Sequence, residues 1–128
     1  MSFEQKFIDW IEGNLAERPP ANVKGFVFNL YEYEPTDGVR FGIDLVGTGA
    51  FDVEDSDWAC DEIWEPEERV LLIPEAFSGE DWEECQSRIR GLLSQVLGSD
   101  SLGSSNLKRA KGIGLGFAEG DLDVVWNA

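Results

Sequence analysis

The densest chemistry in the sequence lies between Phe51 and Glu68, FDVEDSDWACDEIWEPEE, where nine carboxylates, two tryptophans and a cysteine occur without one lysine or arginine. Carboxylates at this density suit three tasks: holding a hard cation, working as an acid–base pair, or meeting the cationic side chains of a partner. A calcium loop needs acids at alternate positions, a glycine at the sixth and a glutamate at the twelfth. Counted from Asp52, the fifth position is Ser56, the sixth Asp57 and the twelfth Ile63, so the pattern fails and no metal site is expected.

Catalysis has little to work with. The chain contains no histidine, which removes the commonest general base and the usual activation of serine or cysteine. Asp121 and Asp123 share a predicted strand face and are the nearest thing to a carboxylate pair of the glycosidase kind. Alternation along a hairpin reads them equally as polar residues on its wet side. The stretch KRAKGIGLG places Lys108, Arg109 and Lys111 beside three glycines, but a phosphate cradle needs a glycine loop that opens a helix, and here the glycines alternate along a strand. No catalytic residue and no cofactor is expected. A carboxylate-based hydrolase is the distant alternative.

Docking of a partner remains, beside the plainer alternative that the acidic tract only keeps the chain soluble. Between Phe41 and Ser87 there are fifteen acids and one base, Arg69, so more than half of the 26 carboxylates fall in about a third of the chain. The net charge of −16 repels nucleic acid and anionic membranes and attracts cationic proteins. If Trp58 to Trp64 form a strand, Trp58, Cys60, Glu62 and Trp64 share one face, and Asp57, Asp61 and Ile63 the other. The expected partner-binding set is Asp52, Glu54, Asp55, Asp57, Asp61 and Glu62, with Trp58 or Trp64 as an apolar anchor. The competing reading makes both rings core and leaves the carboxylates as a steering field.

These residues need elements to carry them. Ser2 and Gln5 form a capping box for a helix over residues 3–17, with Phe3, Phe7, Ile11 and Leu15 on one face, and Arg18-Pro19-Pro20 stops it. Alternation from Val23 and again from Val39 predicts two antiparallel strands joined at Pro35-Thr36-Asp37-Gly38. Residues 69–74, RVLLIP, read as a further strand. Ser78, with Asp81 reaching back to it, caps a second helix that carries Trp82, Cys85, Ile89, Leu92 and Val96. Residues 98–106, GSDSLGSSN, read as a flexible surface loop. A turn at Glu119-Gly120 pairs Phe117 with Leu122, Leu115 with Val124 and Ile113 with Trp126. The opposite face then carries Gly112, Gly114 and Gly116, open to a partner backbone or another element, beside Asp121, Asp123 and Val125.

The expected fold is a single α+β domain over residues 1–128, an antiparallel sheet of five to six strands with two helices packed on one face. Secretion chaperones of bacteria have a similar order of elements, which implies an escort or adaptor, monomer or homodimer, that binds an extended segment. In size and charge the chain also resembles the small acidic immunity proteins that block bacterial nuclease toxins. That resemblance implies a non-enzymatic inhibitor that occludes the basic cleft of its partner. The opening MSFEQKFIDWIEGNL, interrupted by Glu4, Asp9 and Glu12, is not expected to be a secretory signal, and no uncharged run approaches membrane-spanning length. A cytoplasmic protein is expected, with Cys60 and Cys85 reduced and mostly buried, though a single disulfide is conceivable.

Overall fold

The computed structural model describes residues 2–118 and 120–128. Helix α1 (Phe3–Asn14) starts at the expected cap, where Ser2 Oγ accepts the N–H of Gln5 at 3.2 Å, and it buries Phe3, Phe7, Trp10 and Ile11. Strands β1 (Gly25–Thr36) and β2 (Val39–Thr48) pair antiparallel. Asp37 and Gly38, at φ 53° and 77°, make the two-residue left-handed turn whose twist matches the strands it joins. β3 (Glu62–Trp64) and β4 (Val70–Pro74) both pair with the far side of β2. A short α2 (Glu75–Ser78), a long α3 (Trp82–Leu97) and α4 (Leu102–Leu107) follow, then β5 (Gly112–Phe117) and β6 (Asp123–Asn127).

The six strands form one mixed sheet in the order β3-β2-β1-β5-β6, with β4 also on β2, so the domain is α+β as expected. One pairing differs from the antiparallel expectation. β5 lies parallel to β1, Gly25 opposite Gly112 and Leu30 opposite Phe117. The chain leaves β4, crosses the sheet through three helices and enters beside β1 in the same direction, as a helical crossover allows.

One face of the sheet holds the main core. Phe26, Phe28, Leu30, Phe41, Ile43, Leu45, Ile113 and Leu115 meet Phe7, Ile11 and Leu15 from the α1 side and Cys85, Ile89 and Leu93 from α3. The helices therefore do share one face. Ser78 closes α2 rather than capping α3. The cap of α3 is Asp81, whose carboxylate accepts the N–H of Glu83 at 3.0 Å. Half of the expected flexible loop is α4, capped by Ser101. The Ser101 hydroxyl and the Gly103 N–H both donate to Glu12 of α1, and Asn106 donates to the carbonyl of Leu15 at 2.7 Å.

The terminal hairpin keeps only part of the expected register. Ile113 pairs with Trp126, but Gly114 pairs with Val124 and Leu115 with Asp123, which leaves Val125 as an extra residue in a bulge. Glu119 of the expected turn lies outside the described residues. Past the bulge the one-residue shift exchanges the faces of Val124 and Asp123, while Trp126 keeps its expected partner. Asp123 now points to α3, where Gln86 and Arg90 donate to its carboxylate at 3.2 and 3.4 Å, while Leu122 covers Gly114 on the opposite side.

Leu115 is fully buried in either register. Leu115→Asp strands a charge in the core at a cost of about 4 kcal/mol or more, so loss of cooperative melting is expected in calorimetry. A soluble variant that melts cooperatively near the parent temperature would contradict the placement.

Candidate functional site

The acidic segment is not one strand. Residues Ser56–Cys60 form a 3-10 turn, begun by Asp55, whose Oδ1 accepts the N–H of Asp57 at 3.0 Å, and only Glu62–Trp64 is extended. That change of period sends the two tryptophans to opposite faces of the sheet. Trp58 packs with Val27 and Val46 on the face away from the long helices, edge-on to Phe51 with centroids 4.7 Å apart. Trp64 packs on the helix face, edge-on to Phe26 at 5.7 Å.

Trp58 is only 4% exposed and is core, so it is not the expected anchor, while Trp64 is partly buried against Phe26. Room for the Trp58 ring comes from Gly25, where a β-carbon would lie 2.6 Å from it. Phe51 occupies the space above Gly112 in the same way, and the backbone of Asp121 closes over Gly116. Together with Leu122 over Gly114, these fill the glycine face from within, so it is not open to a partner backbone.

All six expected docking carboxylates, Asp52, Glu54, Asp55, Asp57, Asp61 and Glu62, are exposed. Asp52 also accepts the N–H of Glu54 at 2.9 Å, a local turn that leaves its second oxygen free of that bond. Exposed Val53 and Ile63, at 57% and 43%, are the apolar side chains that stand among these acids. Sequence reasoning passed over both, because an aliphatic residue beside a tryptophan carries no mark of which of the two turns inward.

Arg69 organises the inner border. Its guanidinium reaches Asp44 at 3.3 Å, Glu62 at 2.7 Å and Glu65 at 2.7 Å. Asp44 is 3% exposed and further accepts from Asn29 Nδ2 at 3.0 Å and Tyr31 Oη at 3.1 Å. Burial works against the charge on Arg69, but hydrogen bonds to Glu65, Asp44 and Glu62 outweigh it and raise its pKa further. Burial and then the Asp44 charge push the Tyr31 hydroxyl up as well. Of the nine carboxylates between Phe51 and Glu68, Glu62 and Glu65 thus pair with Arg69. Among the described residues none of the other seven is in an ion pair.

The segment is tied down at its far end too. Trp10 Nε1 and Asn14 Nδ2 donate to the carbonyl of Glu68 at 2.6 and 2.8 Å, and the Glu68 N–H donates back to Asn14 at 3.1 Å. The arrangement is an array of outward carboxylates on a fixed backbone. Among the described residues no group of three or more ligating side chains is placed to hold a metal ion, and no helix is long and apolar enough to cross a membrane. Asp121 and Asp123 border a separate groove at the other end of β1, where Asp123 is engaged by Gln86 and Arg90.

Arg69→Met leaves Asp44 buried without its cation, and a loss of about 2–3 kcal/mol is expected in urea unfolding, scaled down for the partial exposure of the arginine. Adding Asp44→Asn should recover part of it. No loss on removing Arg69 would contradict the assigned role. The two thiols are free, and Cys60 is exposed while Cys85 is buried, against the expectation that both lie inside. Burial pushes Cys85 up to about 12 from 9.0. The fold therefore favours its neutral thiol, a contribution complete below about pH 9 and lost as pH rises toward 12. A disulfide reagent at pH 8 should titrate one thiol at once and the second only on unfolding; equal reactivity would contradict this. No family model matches the chain, and neither a curated protein nor a solved structure matches it.

Proposed function

We propose that the chain is a non-enzymatic acidic binding module that captures a basic protein through the face built from Asp52, Glu54, Asp55, Asp57, Asp61 and Glu62. The observation that supports this most is the combination of exposure and fixity. Seven carboxylates of the segment lack an ion pair among the described residues, and the backbone beneath them is pinned by Trp58, Trp64, Arg69 and Glu68. Crowding like charges destabilises the folded state, yet it creates a field that accelerates encounter with a cationic surface. A fixed array also loses little entropy when it is bound. Val53 and Ile63 take the anchoring part first given to the tryptophans.

The concrete form is an inhibitor of the immunity or antitoxin kind, acting in the cytoplasm, whose carboxylates occupy a basic cleft in place of the phosphates that the cleft normally meets. The escort reading is less well supported, because the glycine face it relied on is filled by Phe51 and Leu122.

The test uses the immobilised chain to isolate a basic partner at low salt, followed by association kinetics with that partner. The association rate should fall at least about tenfold between 20 and 300 mM salt. Asp55→Asn, Asp57→Asn and Asp61→Asn together should slow association about tenfold at low salt and leave the melting temperature unchanged or higher. Association that ignores both salt and the triple substitution would exclude this face as the interface.

A further inference from the structure

β1 outruns its parallel neighbour. Its pairing with β5 ends at Leu30 opposite Phe117, whereas β1 itself continues to Thr36. Leu30 turns its carbonyl toward β5, where it accepts the N–H of Ala118 at 3.1 Å. By the two-residue period of a strand, the backbone groups of Glu32 face the same way; beyond it a bulge interrupts the pairing of β1 with β2, and the Glu34 carbonyl accepts the Thr36 hydroxyl at 3.1 Å. Among the described residues, no strand pairs with Glu32 on that side.

The space beside this edge is an open groove of about 980 Å³. Tyr31 and Tyr33 border it from one side of the sheet and Glu32, Trp82 and Phe117 from the other, while Asp121 stands at the end where β5 stops. Trp82 is 53% exposed although it opens an otherwise buried helical stripe, and it rests edge-on against Phe117, centroids 5.8 Å apart at 85°. Its ring is therefore held in place and open to solvent.

We propose that this groove is a second binding site, which takes an extended peptide segment bearing arginine or lysine, laid beside the open edge of β1 at Glu32. An added segment satisfies the free backbone groups of Glu32, and the alternation of an extended chain sends its side chains to both walls in turn. The walls decide the chemistry of the occupant. Aromatic rings beside Asp121, which is in no ion pair among the described residues, and beside exposed Glu32, which meets Arg40 through one oxygen at 3.3 Å, favour a cation that can lie on a ring and pair with a carboxylate, which an arginine does with its planar guanidinium. An acidic segment would meet a chain of net charge −16. The groove lies at the opposite end of β1 from Gly25, where Trp58 packs, about 23 Å away by strand rise, so the site stands or falls independently of the acidic face.

The experiment titrates the folded, isotope-labelled chain with a blocked seven-residue peptide of alternating arginine and valine, read by amide and indole chemical shifts. Saturable shifts are expected at Tyr31, Glu32, Tyr33, Ala118, Gly120 and the Trp82 indole. The same peptide with glutamate for arginine, or with alternate backbone amides methylated, should bind at least about tenfold more weakly. Trp82→Ala should weaken binding about fivefold, as loss of a cation–aromatic contact does. Glu32→Gln with Asp121→Asn, both at exposed positions, should weaken it without touching that ring. Shifts concentrated at residues 52–68, equal binding of the methylated peptide, no saturable shift, or unchanged affinity in both folded variants would each overturn the proposal.

Discussion

One guanidinium sets the geometry of the acidic half of this molecule. Arg69 is the only base between Phe41 and Ser87, and it is shared by a buried carboxylate, Asp44, and two exposed ones, Glu62 and Glu65. Asp44 sits in the middle of β2 and cannot be left unpaired there, because an isolated buried carboxylate costs several kcal/mol. Arg69 therefore has to lie against the sheet just before β4, and Glu62 and Glu65 come with it. The residues between β2 and β4 are then a closed span rather than a free acidic loop, and among the described residues their remaining carboxylates are exposed and pair with no cation.

Apolar packing completes what the ion pairs begin. Trp58 and Trp64 belong to one segment of seven residues but enter opposite faces of the sheet, so the segment straddles its edge and cannot rotate as a unit. Gly25 and Gly112 supply the depressions that admit Trp58 and Phe51, the exchange of side-chain volume that lets a sheet glycine carry a ring. Mobility that would blur the carboxylate array is suppressed from three directions. The polar surface is fixed by buried contacts that themselves meet no partner.

What could be read from the residues followed local physics. The cap of α1, the alternation in β1 and β2 and the stripe of α3 from Cys85 to Val96 each depend on neighbours within a few positions and stand where the pattern puts them, while the expected turn narrows to Asp37-Gly38 because Pro35 and Thr36 belong to β1. The departures involve choices made by distant partners. β5 became parallel to β1 because three helices carry the chain back across the sheet, which no local pattern in β5 records. α4 is a weak helix former rich in glycine and serine, ordered by Glu12 of α1 and the Leu15 carbonyl, both about ninety residues away. The bulge at Val125 accompanies the contact of Asp123 with Gln86 and Arg90 of α3. Carboxylate exposure was legible from charge density alone, whereas the inward turn of Trp58 was not, since a 3-10 turn and a strand of the same composition read alike.

A fixed carboxylate array requires the acidic segment to be as ordered as the sheet it borders while its carboxylates remain wet. Site-resolved amide exchange in the isolated chain tests this most directly, at the N–H of Gly49, which donates to the Asp61 carbonyl at 3.0 Å, and of Asp61, which donates to Trp58 at 3.2 Å. Both amides should exchange at least about a thousandfold more slowly than in an unstructured chain, as those of a cooperative unit do. Exchange at the unstructured rate, with β1 and β2 still protected, would mean that the carboxylates ride on a loose loop, and the fixed array would not exist.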